Sequence, residues 1–342
     1  MKLRTHMAGL LLALAAAVLV SIVPAAAQPF RLIVTHLEPP LVPNGVMDLA
    51  VELGYFEREG VEVELIRVQQ TPSALASILA GEGDMANVGV DGVLQLVAQG
   101  DNNLKAVTSP NKALPFLIAA KSEITSPAEL VGRSFGVGRV GSLDHSLSTQ
   151  VLANAGVSMD SMEVVSLGQP GVRGQALAAG QIDATTMSIG VWLSIPDKSG
   201  LSILIPQDVY FAGAPVVNKV NVVTTDVLAS RRDDVEAVLT ALTKISRDFA
   251  ANPSAWAEAM APYGGNLSAE ELQQLADSFA GSWSVNGGMN RTELQTTQDW
   301  VYATEDFQGV APVSLDDWVD FSVMDDVLAD LGVDPSADQP GR

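Results

Sequence analysis

A short string occurs twice in this chain of 342 residues, and it limits the fold more than any other feature. Ala80-Gly81-Glu82-Gly83-Asp84-Met85-Ala86 is matched by Ala179-Gly180-Gln181-Ile182-Asp183-Ala184, with both the glycines and the aspartates 99 residues apart. Each copy ends a helical stretch and opens an apolar run. Around the first copy, residues 31–35 read as strand, 44–59 as helix stopped by Gly60, 61–68 as strand, 73–80 as helix and 85–90 as strand. Around the second, 134–138, 162–167 and 184–189 read as strands, with helices at 142–155 and 172–179 between them. A β-α-β-α-β order given twice predicts an α/β fold with largely parallel sheets. Two copies are too few for a solenoid and suit two similar lobes facing each other.

From Val222 onward the pattern is mostly helical. Residues 225–251 form one long helix or two. Ser268-x-x-Glu271 is a capping box, and Asn290 and Ser314 can cap two later helices. Residues 334–342 carry two prolines and read as a flexible tail.

The first residues read as a leader. Lys2, Arg4 and His6 precede an apolar run from Met7 to Val23, which ends in Pro24-Ala25-Ala26-Ala27-Gln28. This is the pattern of a secretory signal peptide over 1–27, cut after Ala25-x-Ala27. An uncleaved anchor is the alternative, since roughly 18–20 apolar residues can just span a bilayer. The small residues and the proline favour cleavage. The formal charge is −21, and cleavage removes two basic residues and no acid, leaving 315 residues at −23. Nucleic acid is a poor partner for such a chain, because a phosphate binder needs a basic face. The absence of cysteine rules out disulfides, thiolate metal sites, a cysteine nucleophile and a lipid anchor on an N-terminal cysteine. The expectation is a protein exported to the periplasm, not a lipoprotein.

In open α/β sheets ligands bind at the carboxyl ends of strands, near helix N-termini. This nominates loops 35–44, 69–73 and 89–92 in the first lobe, and 138–145, 168–173 and 188–192 in the second. The two histidines left after cleavage, His36 and His145, both fall there, as do Arg139 and Arg173. Gly138-Arg139-Val140-Gly141-Ser142 is the sharpest local signal, with glycines for close backbone approach and Ser142 opening a helix whose N–H groups favour an anion. Thr71-Pro72-Ser73 is a second helix start. The ligand-binding set expected is Thr35, His36, Glu38, Thr71, Ser73, Val90, Asp91, Asn111, Arg139, Gly141, Ser142, His145, Gln169, Arg173, Ser188 and Trp192. Ordinary roles compete at each place: a helix cap at Ser142 or Thr71, a solvated helix position at Arg173, lobe packing at Trp192.

Catalytic and metal chemistry find little support. Ser142 and His145 are three apart on one helix turn, with no orienting acid or oxyanion geometry to place beside them. No metal-ligand spacing such as HExxH is present, and no Gly-Lys-Ser phosphate loop. No metal or cofactor is expected. Asp316-Asp317 and Asp325-Asp326 read as solvated helix faces.

Glu129-Leu130-Val131-Gly132-Arg133-Ser134-Phe135-Gly136-Val137, followed by Gly141-Ser142 and His145, resembles the substrate-binding proteins of ABC importers for sulfonates, nitrate, taurine and pyrimidine thiamine precursors. Glu52-Leu53-Gly54-Tyr55-Phe56-Glu57, Leu79 to Asp84, Leu177 to Gly180 and Asp326 to Gly332 support the likeness, which runs over most of 30–332. The resemblance implies a type II periplasmic-binding-protein fold. Two lobes would be joined by crossings near 109–113 and 218–222. Lobe 1 would comprise 28–111 and 220–333, lobe 2 residues 112–219. The family's anion-gripping Gly-Ser turn maps onto Gly141 and Ser142. One departure is Ser188-Ile189-Gly190, where many relatives carry Asp-Pro after the third strand of the second lobe.

These readings predict a binding protein, not an enzyme. It would be a monomer that closes on a small anionic solute, a carboxylate or sulfonate, and delivers it to an ABC permease. Arg139, Arg173 and the helix start at Ser142 would meet the anion, with Leu37, Val90 and Trp192 against its organic body. One rival is a ligand-presenting partner of a sensor system. Another is an enzyme on the same fold, related to the thiamine-pyrimidine synthases, whose cysteine-rich motif this chain lacks.

Overall fold

The computed structural model describes residues 28–110 and 116–335. The leader expected at 1–27, candidate Asn111, part of the first crossing and the tail from 336 lie outside the described residues. Ten strands run in chain order: β1 Phe30–Val34, β2 Val63–Arg67, β3 Met85–Gly89, β4 Leu104–Thr108, β5 Phe116–Lys121, β6 Ser134–Val137, β7 Glu163–Ser166, β8 Ala184–Ser188, β9 Leu201–Ile205 and β10 Lys219–Thr224. They form two five-stranded sheets, ordered β2-β1-β3-β10-β4 and β7-β6-β8-β5-β9. Each sheet has four strands that run one way and one antiparallel strand contributed from beyond a crossing. β10 runs against β3 and β4, and β5 runs against β8 and β9. This is the two-lobed type II periplasmic-binding-protein architecture.

The repeated string has a physical reason. Gly81 (φ +74) and Gly180 (φ +70) sit two residues past the helices Thr71–Leu79 and Pro170–Ala178, just after their C-caps Ala80 and Ala179, in the left-handed conformation that ends a helix. The aspartate then ties the third strand of each lobe to the first. Asp84 Oδ2 accepts the Arg31 backbone N–H at 2.8 Å, and Asp183 Oδ2 accepts that of Ser134 at 2.9 Å. The Asp84 N–H returns a bond to the Arg31 carbonyl, and the Asp183 N–H does the same to that of Ser134.

The C-terminal helices pack on lobe 1. Its core runs continuously from β1 and β3 to Phe249, Trp256, Phe279, Leu294, Phe307 and Trp318. Lobe 2 has one apolar cluster on each face of its sheet. Three caps follow the sequence: Ser268 and Glu271 form the capping box, Asn290 accepts from the Glu293 N–H at 3.0 Å, and Ser314 caps with Asp317. The helix expected at 44–59 is instead broken into Val46–Glu52 and Tyr55–Arg58, because Gly54 (φ +69) cannot continue the first. Residues 225–251 form two helices, Thr225–Ser230 and Arg232–Ala251. No helix among the described residues is long and apolar enough to cross a membrane.

Candidate ligand-binding cleft

The carboxyl ends of β1 and β3 form the floor of lobe 1. Thr35 follows β1, and Lys219, which opens β10, lies opposite Gly89 at the end of β3. The Lys219 Nζ donates to Thr35 Oγ1 at 2.5 Å, its one hydrogen bond among the described residues. Burial pushes this ammonium down to about 8, with the Asp91 carboxylate pulling the other way. Asp91, in the first turn of the helix Val90–Ala98, is itself raised by burial. The N–H groups of Gly92 and Asp91 and the Arg139 guanidinium oppose that rise, while Asp306 adds to it. A Cβ on Gly89 would stand 2.5 Å from Asp91 Oδ1, so glycine there lets the carboxylate fold over the strand end. The Thr71 hydroxyl accepts the Gly89 N–H at 3.0 Å and joins two of the nominated loops.

His36 turns into lobe 1. Its Nε2 meets Asp48 Oδ2 at 2.7 Å, and the buried Asp48 is also bound by Arg67 at 2.7 Å. Glu38 and Ser73 are exposed. Val90 is fully buried in the lobe 1 core, so it differs from the expected ligand contact: an apolar side chain at the first position of a helix is drawn under the sheet.

In lobe 2 the Gly138–Ser142 turn meets its own side chains. The Gly138 N–H donates to Asp144 Oδ2 at 2.8 Å, the Arg139 N–H to Ser142 Oγ at 3.3 Å and the Gly141 N–H to His145 Nδ1 at 3.1 Å. Ser142 and His145 are thus engaged with different partners and do not face each other as nucleophile and base. Arg139 is 62% exposed and bridges to Asp306 at 2.9 Å, a contact that reaches the lobe 1 helices. That bond raises its pKa.

Arg173 departs most from expectation. It is buried, and Nε and Nη2 donate to the Thr186 carbonyl at 3.2 and 3.1 Å, Nη1 to that of Gly168 at 2.5 Å. Asp144 lies 3.4 Å from Nη2. Burial lowers its pKa against the pull of Asp144. Its three nitrogens all serve lobe 2, joining the Gly168 carbonyl in the loop after β7 to the Thr186 carbonyl within β8. Trp192 packs with Leu177, Met187 and Ile195 and is 9% exposed, so it walls the lobe rather than presenting a ring. Ser188 caps its helix through the Val191 N–H at 3.2 Å, and Gln169 is exposed ahead of the helix it caps.

The NMT1/THI5-like family pattern matches residues 46–256, more than half of the chain. The chain belongs to the NMT1/THI5-like family. No curated protein sequence matches it. Among solved structures it is similar to the periplasmic nitrate-binding protein NrtA from Synechocystis PCC 6803, at 11% identity and a TM-score of 0.68, covering 92% of each chain. It is similar to the periplasmic aliphatic sulphonate binding protein SsuA from Escherichia coli, at 14% identity and a TM-score of 0.65, over 85% of this chain and 92% of that one. DszB in complex with biphenyl-2-sulfinic acid matches at 17% identity and a TM-score of 0.62, over 88% and 99%. At these identities the likenesses establish the shared fold.

Two further residues of this NMT1/THI5-like chain bear on the cleft. Lys219 was missed by strand-end reasoning, because β10 enters lobe 1 at its amino end. The available signal was a basic residue within the expected second crossing. Gly190 is where the lobes touch: a Cβ there would stand 2.7 Å from the Leu41 carbonyl oxygen of the facing loop. The Ser109 hydroxyl donates to the Lys219 carbonyl at 2.7 Å, and the Ser284 hydroxyl to the Ser109 carbonyl at 2.5 Å, so both crossings are tied beside the floor.

Proposed function

We propose that this protein is a periplasmic solute-binding component of an ABC importer and that its cleft holds a small organic anion, a carboxylate or sulfonate. The observation that carries this reading is the Lys219 ammonium, half-buried on the cleft floor with one neutral hydroxyl as its hydrogen-bond partner among the described residues. A partly desolvated cation whose one hydrogen-bond partner is neutral is costly even with the Asp91 carboxylate nearby, and an anionic ligand offsets that cost. Thr35 and Asp91 stand beside it, the acid fixing the orientation of the polar end of the solute. Arg139 lies across the cleft and can exchange Asp306 for the ligand as the lobes close. Gly141, Ser142 and His145 receive the solute's other face once their internal bonds open. Arg173 and Trp192 hold the lobe 2 wall in place. Closure then presents the joined lobes to a permease.

Thermal shift against carboxylates, sulfonates, nitrate and pyrimidines tests the reading, since a ligand bound by the native state raises Tm by mass action. Saturable stabilisation by an anion supports it. Stabilisation by neutral or cationic compounds alone overturns the anion assignment, and turnover of the bound compound overturns the binding-only role.

A further inference from the structure

We propose a second ligand site, away from the cleft floor, that takes a small primary or secondary amine in its cationic form with an apolar body. It is a cavity of about 390 Å³ between the lobe 2 helix Leu143–Asn154 and the end of the lobe 1 helix Arg291–Tyr302. That volume lies in the range of small-molecule sites, roughly 300–1,000 Å³. One wall is Trp300, whose Nε1 donates to Ser146 Oγ at 3.3 Å and so fixes the ring between the lobes. The other four tryptophans, Trp192, Trp256, Trp283 and Trp318, are buried, so Trp300 is the one whose ring is open to a ligand.

The polar lining presents acceptors. The Thr149 hydroxyl proton goes to the His145 carbonyl within its own helix, and that of Thr304, just past the helix Arg291–Tyr302, goes to the Val301 carbonyl. Both oxygens are left with lone pairs for a donor. The Gln150 amide N–H donates to Asn154, leaving its carbonyl available. Asp160 and Glu305 add two carboxylates, and no lysine or arginine lines the cavity among the described residues. One donor opposes this set: His145 accepts from Gly141 through Nδ1, so its neutral ring carries the proton on Nε2. Acceptors and carboxylates around an indole face match an ammonium that donates to several oxygens while its apolar body lies on the ring.

Calorimetric titration with benzylamine, against benzyl alcohol as its uncharged isostere and benzoate as its anionic one, tests the assignment on the whole protein. Benzylamine is expected to bind saturably, with benzyl alcohol and benzoate at least about tenfold weaker. Asp160→Asn with Glu305→Gln, both at exposed positions, is expected to weaken benzylamine about tenfold while circular dichroism stays native. The cavity shares Gly141 and His145 with the lobe 2 side of the cleft but not Lys219, so Lys219→Met is expected to leave benzylamine binding unchanged, which separates this site from the anion site on the floor. Absence of saturable benzylamine binding, equal binding of benzyl alcohol, or an unaffected double variant would each overturn the proposal.

Discussion

Lys219 donates to the Thr35 hydroxyl at 2.5 Å across 184 residues of sequence. The bond joins the strand that returns from lobe 2 to the strand that begins lobe 1, at the carboxyl edge where the lobes face each other. One ammonium therefore reports on both the closure of the chain path and the charge of the cleft.

Lys219→Met separates those roles. Its methylene stem is kept in methionine, and the half-buried charge is lost. The variant is expected to melt at or above the wild-type temperature, because a depressed lysine pKa means that the charge costs folding free energy. Anion binding is expected to weaken by about 2–5 kcal/mol. Thermal melts with and without the stabilising anion read both effects, and an undiminished anion shift would place the anchor elsewhere.

The same lysine sets a pH dependence. Folded Lys219 loses its proton near about 8, against 10.5 for an unperturbed lysine. Between these values the unfolded chain holds a proton that the folded chain has released, so this group makes stability rise with pH, and below about 8 its penalty is constant. Anion affinity moves the opposite way and falls as pH passes through about 8. Melting curves from pH 7 to 10 should show the rise in wild type and its absence in Lys219→Met. A wild-type curve parallel to the variant's would contradict the depressed pKa.

The two cleft-loop arginines should part company in stability. Arg139→Ala removes an exposed bridge to Asp306, and its effect is expected within about 1 kcal/mol. Arg173→Ala leaves two carbonyls and the Asp144 carboxylate without their buried donor, and is expected to cost on the order of 3 kcal/mol. Urea unfolding measures both, and equal losses would show that Arg173 is not the structural member of the pair.

Gly190→Ala addresses closure. Its backbone conformation is open to alanine, since Gly190 is not among the glycines with positive φ. The added Cβ would press on the Leu41 carbonyl oxygen at 2.7 Å and hold the lobes apart. The expected outcome is a larger radius of gyration by small-angle scattering and weaker anion binding, with the unfolding free energy nearly unchanged. A wild-type scattering curve would mean that the lobes accommodate the methyl group.

Much of the fold was legible because its signals are local. Gly81 and Gly180 end helices through their own φ angles, and Asp84 and Asp183 bind backbone N–H groups at the starts of neighbouring strands, so the same short string recurs wherever that junction does. The capping box at Ser268 and Glu271 needs only one helical turn. The nominated loops were legible for the same reason, since strand ends can be counted along the chain. Which side chains those loops direct toward the cleft was not.

Residue type and spacing thus determined two α/β lobes, their strand-end loops and the acidic composition that goes with them. Tertiary structure alone decided the rest. It drew Arg173 into lobe 2, where its guanidinium donates to the carbonyls of Gly168 and Thr186. It buried Val90 and packed Trp192, because apolar surface at a strand end is covered when the lobe folds. It brought Lys219 to Thr35, because an antiparallel strand arriving from the other lobe puts its first residue where the parallel strands end. Electrostatic partners are chosen by distance in space, and a distance spanning 184 residues of sequence is set only when both sheets are complete.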